Sequence, residues 1–151
     1  MPGRGRGWLT DLRLRDLDVA VATRFNRPMD VAIRPLETAA DATAFRALNE
    51  EWIARHFVLE AEDRRQLEDP VRAYVEPGGQ ILIAELGERP IGCVAIAPDG
   101  TGAWELSKMA VVPELRGLGT GRRLLVAAIE RARELGARSL FLGSSDRKSV
   151  V

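Results

Sequence analysis

Residues 105–125 read ELSKMAVVPELRGLGTGRRLL, and this stretch decides the fold. It begins as an apolar extended run that ends at Pro113, and a loop with glycines at 117, 119 and 121 follows. From Gly121 the apolar residues recur at the spacing of one helix face, until Gly136 marks the helix end. A strand that feeds a glycine-rich turn at a helix N-terminus presents free backbone N–H groups and a positive dipole end to one point. The stretch therefore predicts an anion site, most naturally for phosphate.

Three phosphate-binding patterns compete for this loop. A P-loop requires G-x-x-x-x-G-K-[ST], which the chain does not contain. A dinucleotide fingerprint requires G-x-G-x-x-G and an acidic residue after the next strand, but Arg122 stands where the third glycine belongs and residues 140–145 carry no acid. The third pattern, R/Q-x-x-G-x-G/A, is met by Arg116, Gly119 and Gly121.

With the run Met109–Pro113 before it and Leu124–Leu125 after it, this third pattern resembles the acetyl-CoA site of the GNAT superfamily of N-acetyltransferases. The resemblance implies an α/β fold with a mixed central sheet flanked by helices, and it covers about residues 31–145. It also implies an enzyme that moves an acetyl group from acetyl-CoA, its co-substrate, to a primary amine by direct attack in a ternary complex. The alternative from another class is a non-catalytic acyl-CoA-binding or regulatory domain. A small amine, an aminoglycoside, a peptide N-terminus and a lysine side chain all remain open as acceptors.

The resemblance also implies roles for individual residues. Backbone groups that meet pantetheine and the thioester carbonyl would come from Met109, Ala110 and Val111. Arg116 would shape the loop, and the remaining positions of the cofactor site are Gly117, Leu118, Gly119, Thr120, Gly121 and Arg122, most of which would offer N–H groups to the pyrophosphate.

Glu105 is the candidate catalytic base, because some family members carry a glutamate at the corresponding strand position. An amine with a pKa near ~10 must lose a proton before it attacks, so a base is useful. Strict strand alternation places Glu105 on the same face as Ser107, Met109 and Val111, with Lys108 on the other, unless a bulge upsets the count.

The rest of the chain predicts the elements that would surround this site. A strand over 31–36 precedes a helix capped by Thr38 or Asp41, and a short charged helix over 59–69 follows. Strands over 80–86 and 91–97 form a hairpin around the turn 87–90. The acidic run on the short helix would lie in the acceptor groove of a GNAT fold, although a solvated helix face explains it equally well.

Composition bounds the class of protein. The 151 residues are 46% apolar with a formal net charge of zero, which suits one globular domain and favours neither nucleic acid nor a membrane surface. The one cysteine, Cys93, lies in an apolar run and reads as a core residue. We expect a cytoplasmic protein without a metal site, and a homodimer is left open. The 20 arginines against 2 lysines are typical of a GC-rich bacterial genome.

The two terminal segments of the chain do not fit the pattern of the domain between them. Residues 1–28 are expected to be an upstream extension, with Met29 as the native start, and an ordinary N-terminal arm is the equally open alternative. The codons GAT-CGG-AAG-AGC-GTC-GTG, a common sequencing-adapter read, would encode the tail 146–151, so we expect it to be non-native and the domain to be an incomplete 29–145. Such a fragment would lack the family's last strands and final helix, with its usual general acid. It would leave the fifth strand with a bare edge, and would be aggregation-prone and catalytically weak.

Overall fold

The computed structural model describes residues 31–143 and the backbone of residues 148–150. The expected extension 1–28 lies outside this range, as do residues 144–147 and Val151 of the expected strand end and tail. In chain order the elements are β1 Val31–Pro35, α1 Ala39–His56, α2 Ala61–Glu68, a π-helical turn Val71–Val75, β2 Gln80–Leu86, β3 Arg89–Pro98, β4 Ala103–Val111, a 3-10 turn Pro113–Leu115, α3 Thr120–Glu134, β5 Ser139–Gly143 and β6 Lys148–Val150.

The six strands form one mixed sheet in the order β1-β2-β3-β4-β5-β6, antiparallel except for the parallel pair of β4 and β5. The predicted mixed sheet with flanking helices is therefore confirmed. The expected bare edge of the fifth strand is wrong over three positions, because β6 pairs with Phe141, Leu142 and Gly143. The free backbone donors and acceptors of an edge strand pair readily with another strand, and here a later segment of the same chain provides that strand.

Helices cover the two faces of the sheet and define two cores. On one face α3 packs its buried residues Leu124, Ala128 and Ala132 against the larger apolar cluster. On the other face α1, α2 and the π-helical turn contribute Phe45, Leu67 and Tyr74 to a second cluster. The strands β2 and β3 are buried on both faces, which explains why their sequences are nearly continuous apolar runs.

Cys93 of β3 belongs to the second cluster and is 0% exposed, as the sequence predicted for a core residue. The Nδ2 group of the buried Asn49 lies 3.4 Å from its sulfur. Burial raises the pKa of the Cys93 thiol to about 12, because the apolar surroundings disfavour the thiolate.

The start of α1 uses both residues that the sequence offered as caps. Thr38 is the N-cap, and its hydroxyl accepts a hydrogen bond from the Asp41 N–H at 3.1 Å. The Asp41 carboxylate accepts in return from the N–H groups of Thr38 and Glu37, which completes a capping box. Arg34 of β1 donates to both oxygens of the same carboxylate, at 2.8 and 2.9 Å. Asp41 thereby fastens α1 to the sheet.

We expect Asp41→Asn to lower the free energy of unfolding by about 2 kcal/mol at pH 7, because hydrogen bonds to a charged group are lost while the cap geometry is kept. The hydrogen bonds from Arg34 hold the pKa of Asp41 well below its ordinary value. The charged carboxylate therefore stabilises the fold fully above the unfolded-state pKa near ~4, and this contribution is lost as the pH falls through the lower folded-state pKa. Urea titrations of both proteins at pH 7 and pH 3 should show the difference shrinking at pH 3. A difference that stays constant would contradict this assignment.

The hairpin between β2 and β3 is tighter than predicted. Leu86 pairs directly with Arg89, so the turn contains only Gly87, at φ +65°, and Glu88. Pro90 lies inside β3, next to a register shift between Ala84 and Glu85, and such an irregularity is where a paired strand tolerates proline. The sequence placed Pro90 in the turn because proline is usually excluded from a paired strand.

Candidate functional site

The sheet opens into a fork between β4 and β5. The two strands pair only from Ala103 to Leu106 on β4 and from Ser139 to Leu142 on β5. On its other side β4 stays paired with β3 as far as Val111. The last five residues of β4, which include Met109, Ala110 and Val111, therefore face the opening rather than β5.

A bulge interrupts β4 at the fork. Ser107 pairs with Ala95 and Ala110 pairs with Cys93, so Lys108 and Met109 together stand opposite a single residue of β3. Lys108 has φ +57°, and it is the one non-glycine residue with a positive φ among those the structure describes. The left-handed backbone at Lys108 turns the strand and leaves backbone groups outside the regular ladder.

The bulge corrects the assignment of faces that simple alternation gave. Glu105 and Ser107 share one face as predicted, and it is the α2 side, since Trp104 and Leu106, which alternate with them, pack in the α3-side core. Lys108 lies on this same side, where it pairs with α2. Met109 and Val111 pack against the opposite, α3-side core. The extra residue reverses the alternation beyond Ser107, which is why that prediction was wrong for these three residues.

The glycine loop joins the 3-10 turn to α3. Gly117 and Gly119 have φ +90° and +89°, a backbone conformation that favours glycine. The Leu118 side chain between them is buried in the α3-side core and anchors the loop. Gly119 is the N-cap of α3 and provides no side-chain cap, so the first N–H groups of the helix have no intrahelical acceptor. An uncapped N-terminus of a 15-residue helix suits an anion.

Thr120 and Gly121, the first two residues of α3, are buried. The Thr120 hydroxyl has no hydrogen-bond partner within the part of the chain that the structure describes. A buried hydroxyl without a partner is uncommon in folded proteins, and it lies at the end of the helix that the glycine loop exposes.

Arg116 is held by three contacts and shapes the loop. Its Nε donates to the Val111 carbonyl at 2.9 Å, and its NH2 group donates to Glu51 Oε1 at 2.9 Å. Its guanidinium lies 4.9 Å from the centre of the Trp52 ring, in cation–π geometry. Arg116 therefore ties the loop both to the end of β4 and to α1.

The two arginines after the loop differ in their surroundings. Arg122 is exposed on the first turn of α3. Arg123 donates from NH2 to the carbonyl of Val31 at 2.9 Å and so reaches towards β1. Arg123 is exposed too, but this hydrogen bond ties it to β1.

A pocket of about 180 Å³ lies where the fork, the loop and α1 meet. It brings together residues that are distant in sequence, namely Trp52, Met109, Ala110, Val111, Leu115, Arg116, Gly117 and Gly121. Six of the predicted cofactor residues therefore line one cavity. Trp52 lies on α1, and no local signal in the sequence marks it as a pocket residue.

Glu105 lies where the fork begins, beside Phe141 of β5. A Cβ added at Gly143 would stand 2.2 Å from Glu105 Oε2, so the carboxylate occupies the space that this glycine leaves empty. Sequence reasoning missed Gly143 because its importance depends on a neighbour 38 positions away.

Tyr74 of the π-helical turn is buried beside Glu105 and was also missed from the sequence. Its hydroxyl donates to Gln66 Oε1 of α2 at 3.1 Å. Burial raises the pKa of Tyr74 above its ordinary value, the carboxylates of Glu105, Asp63 and Glu62 raise it further, and a side-chain hydrogen bond with Ser107 opposes the rise. The α2 side of the fork is therefore polar and rich in carboxylates.

Other kinds of site find less support in the described residues. Within residues 31–143 and 148–150, no three His, Cys, Asp or Glu side chains group together as metal ligands would. Over the same ranges, no helix combines the length and apolar character needed to cross a bilayer.

Comparison with known proteins gives a single family. The model of the acetyltransferase (GNAT) family matches residues 42–150. An uncharacterised N-acetyltransferase of Schizosaccharomyces pombe is 31% identical over 126 residues, which cover 80% of this chain and 76% of the relative. The mycothiol acetyltransferase of Cellulomonas flavigena is 30% identical and matches 82% of this chain, but the match covers only 38% of that longer protein.

Solved structures share the fold. An acetyltransferase of the GNAT family from Staphylococcus aureus superposes with a TM-score of 0.68 at 20% identity, over 77% of this chain and 74% of the other. A GNAT acetyltransferase from Brucella melitensis in complex with acetyl-CoA gives a TM-score of 0.63 at 24% identity, over 78% and 79% of the two chains.

Proposed function

The chain belongs to the GNAT family of acetyltransferases, which use acetyl-CoA as co-substrate, and from that premise we propose that it acetylates a primary amine by direct attack in a ternary complex. The observation that carries the proposal is the fork. Two features support it: the bulged end of β4 and the start of α3 line one pocket, and the carboxylate of Glu105 lies where the fork begins.

The cofactor side of the opening fits a pantetheine arm and a pyrophosphate. The N–H groups of Leu118, Gly119, Thr120, Gly121 and Arg122 would receive the pyrophosphate, with the helix dipole favouring its charge. Backbone groups of Met109, Ala110 and Val111 would align the pantetheine and polarise the thioester carbonyl. Arg116 would act on the cofactor indirectly, by holding the loop through Val111 and Glu51.

The acceptor side supplies a base. A protonated amine has no lone pair, so Glu105 would take one proton from it, directly or through water. The nitrogen then attacks the carbonyl carbon, a C–N bond forms, and the C–S bond breaks to release the thiolate of CoA. After the attack the nitrogen loses its second proton and the thiolate takes up one, so the net products are the amide, the thiol of CoA and one proton released to solvent.

Thiol release measured with a panel of acceptors tests the proposal. The panel contains a small amine, an aminoglycoside, a peptide N-terminus, a lysine side chain and the acceptor used by mycothiol acetyltransferase. The chain and the product of its genomic locus are both assayed. We expect thiol release that depends on one class of amine and yields an equal amount of N-acetylated product. Tight CoA binding without amine-dependent release from either protein would instead favour a non-catalytic acyl-CoA-binding domain.

A further inference from the structure

Lys108 occupies a backbone position that would suit glycine better. In a bulge of this kind the residue in the left-handed region is usually glycine, because a side chain there crowds the backbone. Lys108 adopts φ +57° despite this cost. A side chain kept at an unfavourable φ must be held by its surroundings, and such positions cluster at functional sites.

The surroundings of the Lys108 side chain are specific. Its Nζ lies 3.1 Å from Asp63 Oδ1 in the first turn of α2, and the two side chains are only 13% and 22% exposed. The other oxygen of Asp63 accepts the Glu60 N–H at 3.1 Å and completes the capping box of α2. One carboxylate therefore both starts α2 and binds it to the bulge. Glycine at position 108 would give the backbone its conformation but would lose this connection.

The ion pair lies beside the proposed base. Tyr74 is buried in the core on this side of the sheet and donates to Gln66 of α2. Lys108 ties β4 to the same helix, and Glu105 is on the same face of the strand. Any shift of α2 relative to the bulge would change the space between Glu105 and the backbone at Met109.

We propose that the Lys108–Asp63 ion pair is a positioning element for acetyl transfer, which fixes the bulge of β4 and the first turn of α2 in one arrangement. The proposal rests on the proposed function and names residues that orient the acceptor without touching the reacting atoms. Because neither residue lines the pocket at the glycine loop, loss of the pair should affect the amine and not CoA. Misplacement of a bound reactant by a small distance is enough to slow transfer strongly.

The test compares variants that separate charge from backbone conformation. Lys108→Met and Asp63→Asn each remove the ion pair, and Asp63→Asn keeps an oxygen for the cap of α2. Lys108→Gly also removes the pair but relieves the unfavourable φ. Lys108→Arg keeps a charge within reach of Asp63. Arg65→Met is the matched control, because it breaks an ion pair with Glu62 that is exposed to solvent on the same helix.

We expect the three variants without the pair to lose roughly tenfold or more in kcat/KM for the amine, with an unchanged Kd for CoA. The double variant that combines Lys108→Met with Asp63→Asn should be no worse than either single one, and Lys108→Arg should keep most of the activity. Hydrogen exchange of residues 60–68 should be faster in the same three variants and unchanged in Arg65→Met.

Two results would overturn the inference. One is a Lys108→Gly protein with normal kcat/KM and normal hydrogen exchange of α2. This result would mean that only the backbone conformation at position 108 matters and that the Lys108 side chain does not. The other is an additive loss in the double variant, since independent residues give additive losses. If no amine is acetylated by the parent, the proposed function fails, and the exchange experiment still decides whether the pair holds α2.

Discussion

Gly119→Val should abolish measurable binding of CoA, with a loss of at least about a hundredfold in affinity, because a side chain at the N-cap of α3 blocks the approach of the pyrophosphate to the backbone. A Cβ added at Gly119 meets no protein atom within 4 Å. The valine would therefore project into the open space in front of the helix and would not disturb the packing beneath it. Calorimetry with CoA on the folded variant measures the effect directly.

Gly136→Val is the matched control for this experiment. Gly136 follows the other end of α3 with φ +101°, and an added Cβ again meets nothing within 4 Å. Both substitutions force a β-branched residue into the left-handed region, so both should cost similar stability. Only the change at Gly119 should weaken CoA binding. Equal CoA affinity in the two variants would remove the glycine loop from the cofactor site.

Glu105→Gln should lower kcat by roughly a hundredfold to a thousandfold at neutral pH, where the acceptor amine is protonated and needs a base. Glutamine has the shape of glutamate and cannot take the proton. The deficit should shrink as the pH approaches the amine's own pKa near ~10, because the free amine then needs no base. CoA affinity should stay near normal. Parallel pH profiles of kcat for the two proteins would show that Glu105 is not the base.

Gly143→Ala tests the same carboxylate without changing it. The new Cβ would overlap Glu105 Oε2, and the flexible glutamate would turn away to make room. We expect part of the loss seen in Glu105→Gln, again with normal CoA binding. Full activity in this variant would mean that transfer does not depend on where the Glu105 carboxylate lies.

Local signals in the sequence were sufficient for most of the framework. The alternation and apolar runs of β2 and β3, the cap at Thr38 and the glycines before α3 each act within a few residues, and the structure has these elements within a few positions of the predicted bounds. The glycine loop was found for the same reason. Its three glycines and Arg116 lie within the six residues 116–121, and their physical role depends mainly on the backbone between them.

Features that depend on distant contacts were not predictable in this way. In the bulge two residues of β4 lie opposite one residue of β3, and the local sequence Ser107, Lys108, Met109 does not predict this arrangement. Two of the three contacts of Arg116, with Glu51 and Trp52, are to residues about 65 positions earlier on α1, so its role as a tie within the protein emerges only from the fold. The lack of a side chain at Gly143 matters only because the carboxylate of Glu105 occupies the space that a side chain would take.

The isolated thiol of Cys93 has a practical consequence. The reagents that report free CoA react with thiolates, and this chain has one cysteine, which is wholly buried with its pKa raised to about 12. The native protein should therefore not react with such a reagent. The signal that develops during turnover should come from the released CoA alone. When the reagent does reach Cys93, the sheet beneath the bulge must have opened. The rate at which this sulfur is labelled therefore measures how often the central sheet of the protein opens.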